Sequence, residues 1–283
     1  MADVLADGIT VGSVYALVAL GFVLVFKNSG VLNFSHAETG MFGAFVFYVG
    51  WVEQGWPYGV AVVVGVVAGA GVGWITGLLL ADGRRDALTM LLGTLGVAGI
   101  LTFVALDTWG PSPLFIPAFG GGIEIEILGM RFSGAELMII GTAAAIGLGL
   151  FAFYRWTPMG LVFRAMALDP YAAELSGMNV RRLVWATWAA AGALSALAAI
   201  LIAPLANFQV FFMTFLFLRA VTAALLAGLN SLGGCVAAGL ALGVAEAALI
   251  RESSEPGLPE LLLVVAIVGL LSLRPAALGR RTA

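Results

Sequence analysis

Apolar runs long enough to cross a bilayer recur from one end of this chain to the other, and they limit its fold more than any motif does. A helix rises about 1.5 Å per residue and the hydrocarbon core of a bilayer is about 30 Å thick, so such runs match a membrane span once tilt and flanks are counted. Backbone in lipid must satisfy its own hydrogen bonds, which leaves helices and closed barrels. A barrel needs residue-by-residue alternation over short segments, and these runs lack it. Of 283 residues, 61% are hydrophobic and 10% charged. Soluble domains carry about 25% charge, so a water-soluble globular fold is excluded. The expected fold class is all-α: a polytopic membrane helical bundle of eight to nine hydrophobic segments, some of them candidate re-entrant pieces, in one domain over residues 1–283.

The runs are Ile9 to Phe26, Val31 to Gly50, Val60 to Leu80, Leu88 to Leu106, Ala135 to Tyr154, Val184 to Ala203, Met213 to Leu229, Gly234 to Ile250 and the shorter Leu261 to Leu273. Basic residues settle their direction, because short loops rich in Lys and Arg stay in the cytoplasm. Lys27, Arg84, Arg85, the stretch Arg155 to Arg182, and the tail with Arg274, Arg280 and Arg281 agree on an outside N-terminus and an inside C-terminus. Arg251 falls on the opposite side, and Arg219 lies within a run. The start MADVLADG has no basic region, so the first run is expected to be kept as a span. Gly65, Gly69, Gly73 and Gly77 recur every four residues, a smooth stripe better suited to a neighbouring helix than to a pore wall. Residues 107–131 are expected to be an external loop, with Pro111, Pro113 and Pro117, then Gly120, Gly121 and Gly122. Its IEIEILGMRFS segment alternates and predicts a small hairpin.

The longest mixed polar segment, Arg155 to Leu183, holds Arg155, Arg164, Arg181 and Arg182 against Asp169 and Glu174. It is either a docking surface for a soluble partner or a passive spacer. Elsewhere polar groups are scarce and costly: an Asp, Lys or Arg at a helix centre in lipid costs about 2.5–3.5 kcal/mol by insertion scales. Asn33, Ser35, His36 and Glu38 open the second run. Ser35 and Glu38 have capping-box spacing, which predicts a helix starting near Ser35. These groups either cap a helix at the membrane surface or line a polar path. Arg219 either snorkels or pairs with Glu246. One histidine and one cysteine exclude a multi-histidine metal centre and an internal disulfide. Cys235 reads as a packing residue, no P-loop is present to bind ATP, and no basic aromatic patch points to nucleic acid.

Four stretches together resemble a known family. GITVGSVYALVALGFVLVFKNSGVLNFSHAETGMFGAF, TPMGLVFRAMALDPYAAELSGMNVRRLVWATWAAAGALSALAAILIAP, AVTAALLAGLNSLGGCVAAGLALGVAEAAL and the LRPAALGR tail are similar to LivH-like inner-membrane permease subunits of branched-chain amino acid ABC transporters. The resemblance implies a non-enzymatic subunit of the bacterial inner membrane that works with two cytoplasmic ATPases, a second and distinct permease subunit and a periplasmic binding protein. ATP and Mg2+ would be used by the ATPases, with no cofactor on this chain. It implies that residues 155–183 are the ATPase-coupling loop, carried by Thr157, Gly160, Arg164, Ala165, Ala173, Gly177 and Val180. Pro170 and Gly177 bracket a short helix there, Tyr171 to Ser176. Asn33, Ser35, His36, Glu38 and Gly40 match the family's early polar stretch and would line the path. Ala227 and Asn230 stand where small glycines are usual, and FQVFFMTFLFLRAV is more uniformly hydrophobic than its counterpart. Urea or short amides therefore stand beside aliphatic amino acids as substrates. A secondary transporter of another class would need ion-coupling groups, for which only Glu38, Arg219 and Glu246 offer themselves. A purely structural anchoring subunit is the third reading.

Overall fold

The computed structural model describes residues 2–81, 86–119, 124–127, 129–229, 231–252, 261 and 265. Arg84, Arg85, Gly120 to Gly122, Asn230, the last apolar run apart from Leu261 and Val265, and the three arginines of the tail lie outside these residues. Ten α-helices and one hairpin follow in order: α1 (Ala2–Ser29), α2 (His36–Tyr48), α3 (Tyr58–Leu80), α4 (Ala87–Trp109), β1 (Glu124–Ile127), β2 (Met130–Ser133), α5 (Gly134–Trp156), α6 (Pro158–Leu168), α7 (Pro170–Leu175), α8 (Val180–Ile202), α9 (Phe212–Leu226) and α10 (Leu232–Glu252). A π-helical turn, Val49–Glu53, extends α2.

Among the described residues six helices are long and apolar enough to cross a membrane: α1, α3, α4, α5, α8 and α10. The expected eight to nine segments are not reached by helices of that length. The second run loses its first residues to a non-helical stretch, so α2 has 13 residues. The seventh gives α9 with 15 residues, behind a turn-rich segment over 203–211. The ninth lies outside the described residues. The alternating segment does form a hairpin, antiparallel, with Glu126 opposite Arg131. It is the one departure from all-helical structure among the described elements.

Backbone approach holds the bundle together. Helices α1 and α10 run antiparallel so closely that a Cβ on Gly8 would lie 2.7 Å from Val244 Cα, and one on Gly12 2.8 Å from Leu240 Cα. The four-residue glycine stripe of α3 does the same against α8: a Cβ on Gly69 would sit 2.8 Å from the Gly192 oxygen, and one on Gly77 2.8 Å from Trp188 Cβ. Lipid tails are as apolar as leucine, so helices in a membrane associate through such close packing. Helix α2 lies inside, packed by α3, α4, α8 and α9, and its His36 reaches α1. The outermost helices, α4 and α5, bury 17% of their span windows.

Charges sort to the two ends. Lys27 sits 5.3 Å from the Tyr154 ring centre, and Asn28 Nδ2 donates to Tyr154 Oη and to Thr187 Oγ1, so the ends of α1 and α5 and the start of α8 share one end. At the other end Asp3, Asp7, Glu124, Arg131 and Glu136 line a cleft of about 310 Å³. Arg251 joins Asp7 there, as its place in the sequence implied.

Two substitutions on opposite faces of α3 test the glycine contact. Gly69→Val forces a branched side chain into α8, a strain of about 1–3 kcal/mol, and should lower the thermal unfolding midpoint of the detergent-purified protein. Gly71→Val, with nothing within 4 Å of its Cβ position, should leave it within experimental error. Equal midpoints for the two would show that the stripe does not hold α3 to α8.

Candidate functional site

Helix α1 ends at Gly30, whose φ of 71° lies where glycine is the easy choice. The chain then turns back into the bundle without forming helix. Val31, Asn33 and Ser35 are buried in this non-helical stretch. Irregular backbone at such depth is tolerated where protein or trapped water meets its polar groups, and side chains meet them here. Asn33 Oδ1 accepts from the Ser35 amide at 3.0 Å and from the Ser35 hydroxyl at 2.7 Å. The Phe34 amide donates to Thr94 Oγ1 of α4 at 3.2 Å.

Helix α2 begins at His36, next to the expected start at Ser35, but the capping box does not form. Ser35 sits at φ −83° and ψ 5°, away from the extended backbone that aims an N-cap hydroxyl at the first amides; its hydroxyl donates to Asn33, and no side chain caps the helix. Glu38 Oε1 instead receives the Thr214 hydroxyl of α9 across 3.5 Å. The chain's capping box is at the start of α5, where Ser133 Oγ accepts from the Glu136 amide and Glu136 Oε2 accepts from the Ser133 amide at 2.6 Å. The SGAE spacing was its visible signal.

The five candidate path residues are therefore gathered at the start of α2, with four of them enclosed. His36 is 0% exposed; its Nε2 meets the Val18 oxygen at 3.2 Å, and its own carbonyl accepts from Ser195 Oγ at 2.6 Å. A Cβ on Gly40 would lie 2.8 Å from the Ser195 oxygen, so this glycine lets α2 touch α8. Glu38 alone among the five keeps partial exposure. Phe22 and Phe217 flank the His36 ring, with centroids 6.5 and 6.0 Å away.

Arg219 and Glu246 meet a turn and a half along α9 from Thr214. Arg219 Nε donates to Glu246 Oε1 at 2.8 Å, and Tyr15 Oη of α1 donates to Glu246 Oε2 at 2.7 Å. Three helices are thus tied through one buried carboxylate. Tyr15 was not singled out from sequence, although a hydroxyl inside an apolar run must find a partner when buried.

The segment between α5 and α8 folds as two short helices, each capped. Thr157 Oγ1 accepts from the Gly160 amide at 2.9 Å, and Pro158 occupies the first helical position of α6. Asp169 Oδ1 accepts from the Ala172 amide and starts α7, which runs one residue ahead of the expected Tyr171 to Ser176. Asn179 Oδ1 caps α8 through the Arg182 amide. Gly177, at φ 82°, makes the turn between them. Ala173 and Val180 join Met166 in a cluster with Val25, Val31 and Trp188 that seats the segment on the bundle. Gly160 is pressed against Phe153 and Tyr154, Ala165 is partly buried, and Arg164 faces out. Leu168 (88% exposed), Tyr171 (71%) and Leu175 (73%) project away from the bundle.

Residues 4–272 match the family described as branched-chain amino acid transport system / permease component. The chain is 28% identical over 260 residues to the high-affinity branched-chain amino acid transport system permease protein LivH of Escherichia coli K12, covering 85% of this chain and 83% of that one. It is 27% identical over 262 residues to BraD of Pseudomonas aeruginosa, a permease protein with the same description, covering 86% and 84%. Among solved structures, PsaBC from Streptococcus pneumoniae in complex with Fab superposes with a TM-score of 0.51 at 17% identity, over 96% of this chain and 90% of that chain, which shows a shared fold.

The buried ion pair makes a measurable claim. Removing one partner leaves a charge buried without compensation, a loss of about 3–5 kcal/mol. Arg219→Met and Glu246→Met should each destabilise the purified protein strongly, and the double variant should recover much of the loss. Additive losses in that double-mutant cycle would mean that the two side chains do not depend on each other.

Proposed function

The chain belongs to the branched-chain amino acid transport system / permease component family, and from that premise we propose that it is the membrane-spanning permease subunit of an ATP-driven importer for branched-chain or other aliphatic amino acids. The match over nearly the whole chain carries this reading, and the descriptions of LivH and BraD favour amino acids over urea or short amides. A secondary transporter gains little support from the fold, because Arg219 and Glu246 neutralise each other and leave Glu38 as the one of the two carboxylates without a cation beside it among the described residues.

The partners are two cytoplasmic ATPases, a distinct second permease and a periplasmic binding protein in a bacterial inner membrane. ATP and Mg2+ act on the ATPases. The end carrying Lys27, Arg155, Arg164, Arg181 and Arg182 faces the cytoplasm by the positive-inside rule. Residues 107–131, with their hairpin, lie outside and contribute to the binding-protein contact. Residues 155–183 dock on an ATPase. Three large apolar side chains standing free on a capped, basic segment beyond the spans support that assignment, since exposed apolar clusters mark contact surfaces. Ala173 and Val180, seated on the bundle, then pass the ATPase movement to α8. The polar start of α2 is the path wall, reached through Glu38.

Uptake into proteoliposomes that hold the co-expressed complex, with binding protein outside and ATP within, tests this. Labelled leucine, isoleucine and valine should enter with ATP dependence, and urea and short amides should not. Gly177→Arg places a side chain where φ is positive and beside the docking face; it should abolish uptake while the complex still assembles. Leu168→Ala with Tyr171→Ala should lower uptake about tenfold or more, as loss of interface anchors does. Uptake indifferent to ATP would overturn the assignment.

A further inference from the structure

The first turn of α2 carries two acceptors that the fold leaves unused. Both His36 Nδ1 and Glu38 Oε2 are buried with no hydrogen-bond partner among the described residues. The Val18 oxygen can only accept, so His36 Nε2 carries the ring proton, and Nδ1 of the neutral imidazole is then a bare lone pair. Buried acceptors without donors cost about 1–3 kcal/mol each, and two within one helical turn suggest a donor that is present in another state of the molecule. The same turn lacks a side-chain cap: Ser35, at φ −83° and ψ 5°, is out of the extended conformation from which an N-cap side chain accepts from the helix amides. Its leading amides, at the positive end of the helix dipole, therefore suit an anion.

Two acceptors without donors, beside a helix start without a side-chain cap, describe a receptor for adjacent opposite charges. We propose that the first turn of α2 is an occluded recognition site for a zwitterionic amino acid, with the ammonium on Glu38 and His36 Nδ1 and the carboxylate on the uncapped amides. This rests on the importer reading above and adds where the membrane subunit itself recognises its cargo. A glutamate at the third helical position can reach back over the helix start, as it does in capping boxes, and Glu38 is free of that duty here. Helix α9 covers the site. Thr214 reaches Glu38, and the Phe217 ring lies 6.0 Å from His36 and 6.4 Å from Phe34. Access therefore requires α9 to withdraw from the start of α2.

The decisive measurement is leucine moved per ATP hydrolysed in proteoliposomes holding the whole importer, with binding protein and radiolabelled leucine supplied. Glu38→Gln and His36→Leu should cut this ratio by about tenfold, the worth of one charge-assisted hydrogen bond. Hydrolysis stimulated by loaded binding protein should stay near the wild-type rate, because docking and coupling are untouched. His36→Asn, which returns an acceptor close to the position of Nδ1, should recover part of the ratio, and Glu38→Asp should do the same if Glu38→Gln assembles poorly. A ratio within twofold of wild type in assembled Glu38→Gln or Glu38→Asp and in His36→Leu overturns the proposal, and a lowered unfolding midpoint alongside it would mean that the acceptors hold a buried water only. Hydrolysis and uptake falling together would assign these residues to the scaffold and overturn it equally. Wild-type complex that moves no leucine with ATP would instead sink the importer reading.

Discussion

Everything in this molecule depends on helix backbones coming into van der Waals contact. In lipid no hydrophobic force draws apolar helices together, so glycine and alanine must remove the side chains that would keep them apart. Two antiparallel pairs are built this way. Helices α1 and α10 meet through Gly8, Gly12, Gly239 and Gly243, and α3 meets α8 through Gly69, Gly73, Gly77 and Gly192. The second pair also brings Gly43 of α2 against Gly65, so the inner helix is gripped by the same device.

That grip allows the chain to carry a defect that lipid would forbid. A non-helical stretch between α1 and α2 exposes amides and carbonyls deep in the bundle, and each needs a partner there. Thr94 from α4 supplies one, Asn33 supplies another from within the stretch, and Ser195 from α8 secures the carbonyl of His36. The break thus recruits polar side chains from two other helices. The helix that follows starts without a side-chain cap, and two buried acceptors, His36 Nδ1 and Glu38 Oε2, stand without partners in its first turn among the described residues.

Helix α9 links this point to the rest. One part of it touches Glu38 and His36, while Arg219 further along holds Glu246 and, through it, Tyr15 of α1. This short helix lies between the polar break and the ion pair, and Phe212, Met213, Phe217, Ala220, Ala223 and Ala224 pack it into the main apolar core. The capped α6–α7 segment lies at the end of the bundle where α1 and α5 finish. It rests on Val25, Val31 and Trp188, so one apolar cluster joins α7 to the start of the break.

The sequence by itself determined what depends on neighbours along the chain. Apolar runs marked the six helices of spanning length, though not how two further runs would shorten to 13 and 15 residues; alternation produced the hairpin over 124–133, and Pro170 and Gly177 bounded α7 to within a residue. The fourfold glycine repeat announced a helix contact without naming its partner. Only the tertiary structure decided that the partner is α8 and that Glu38 answers to Thr214. The reason is separation. Ser195 meets His36 across 159 residues and Tyr15 meets Glu246 across 231, and no local period encodes which distant side chain arrives. A capping box needs its N-cap residue in extended backbone as well as the right spacing, and the spacing alone does not encode that conformation. At Ser133 the extended backbone, φ −73° and ψ 158°, lets the box close; at Ser35 the turn at φ −83° and ψ 5° leaves the start of α2 without a side-chain cap.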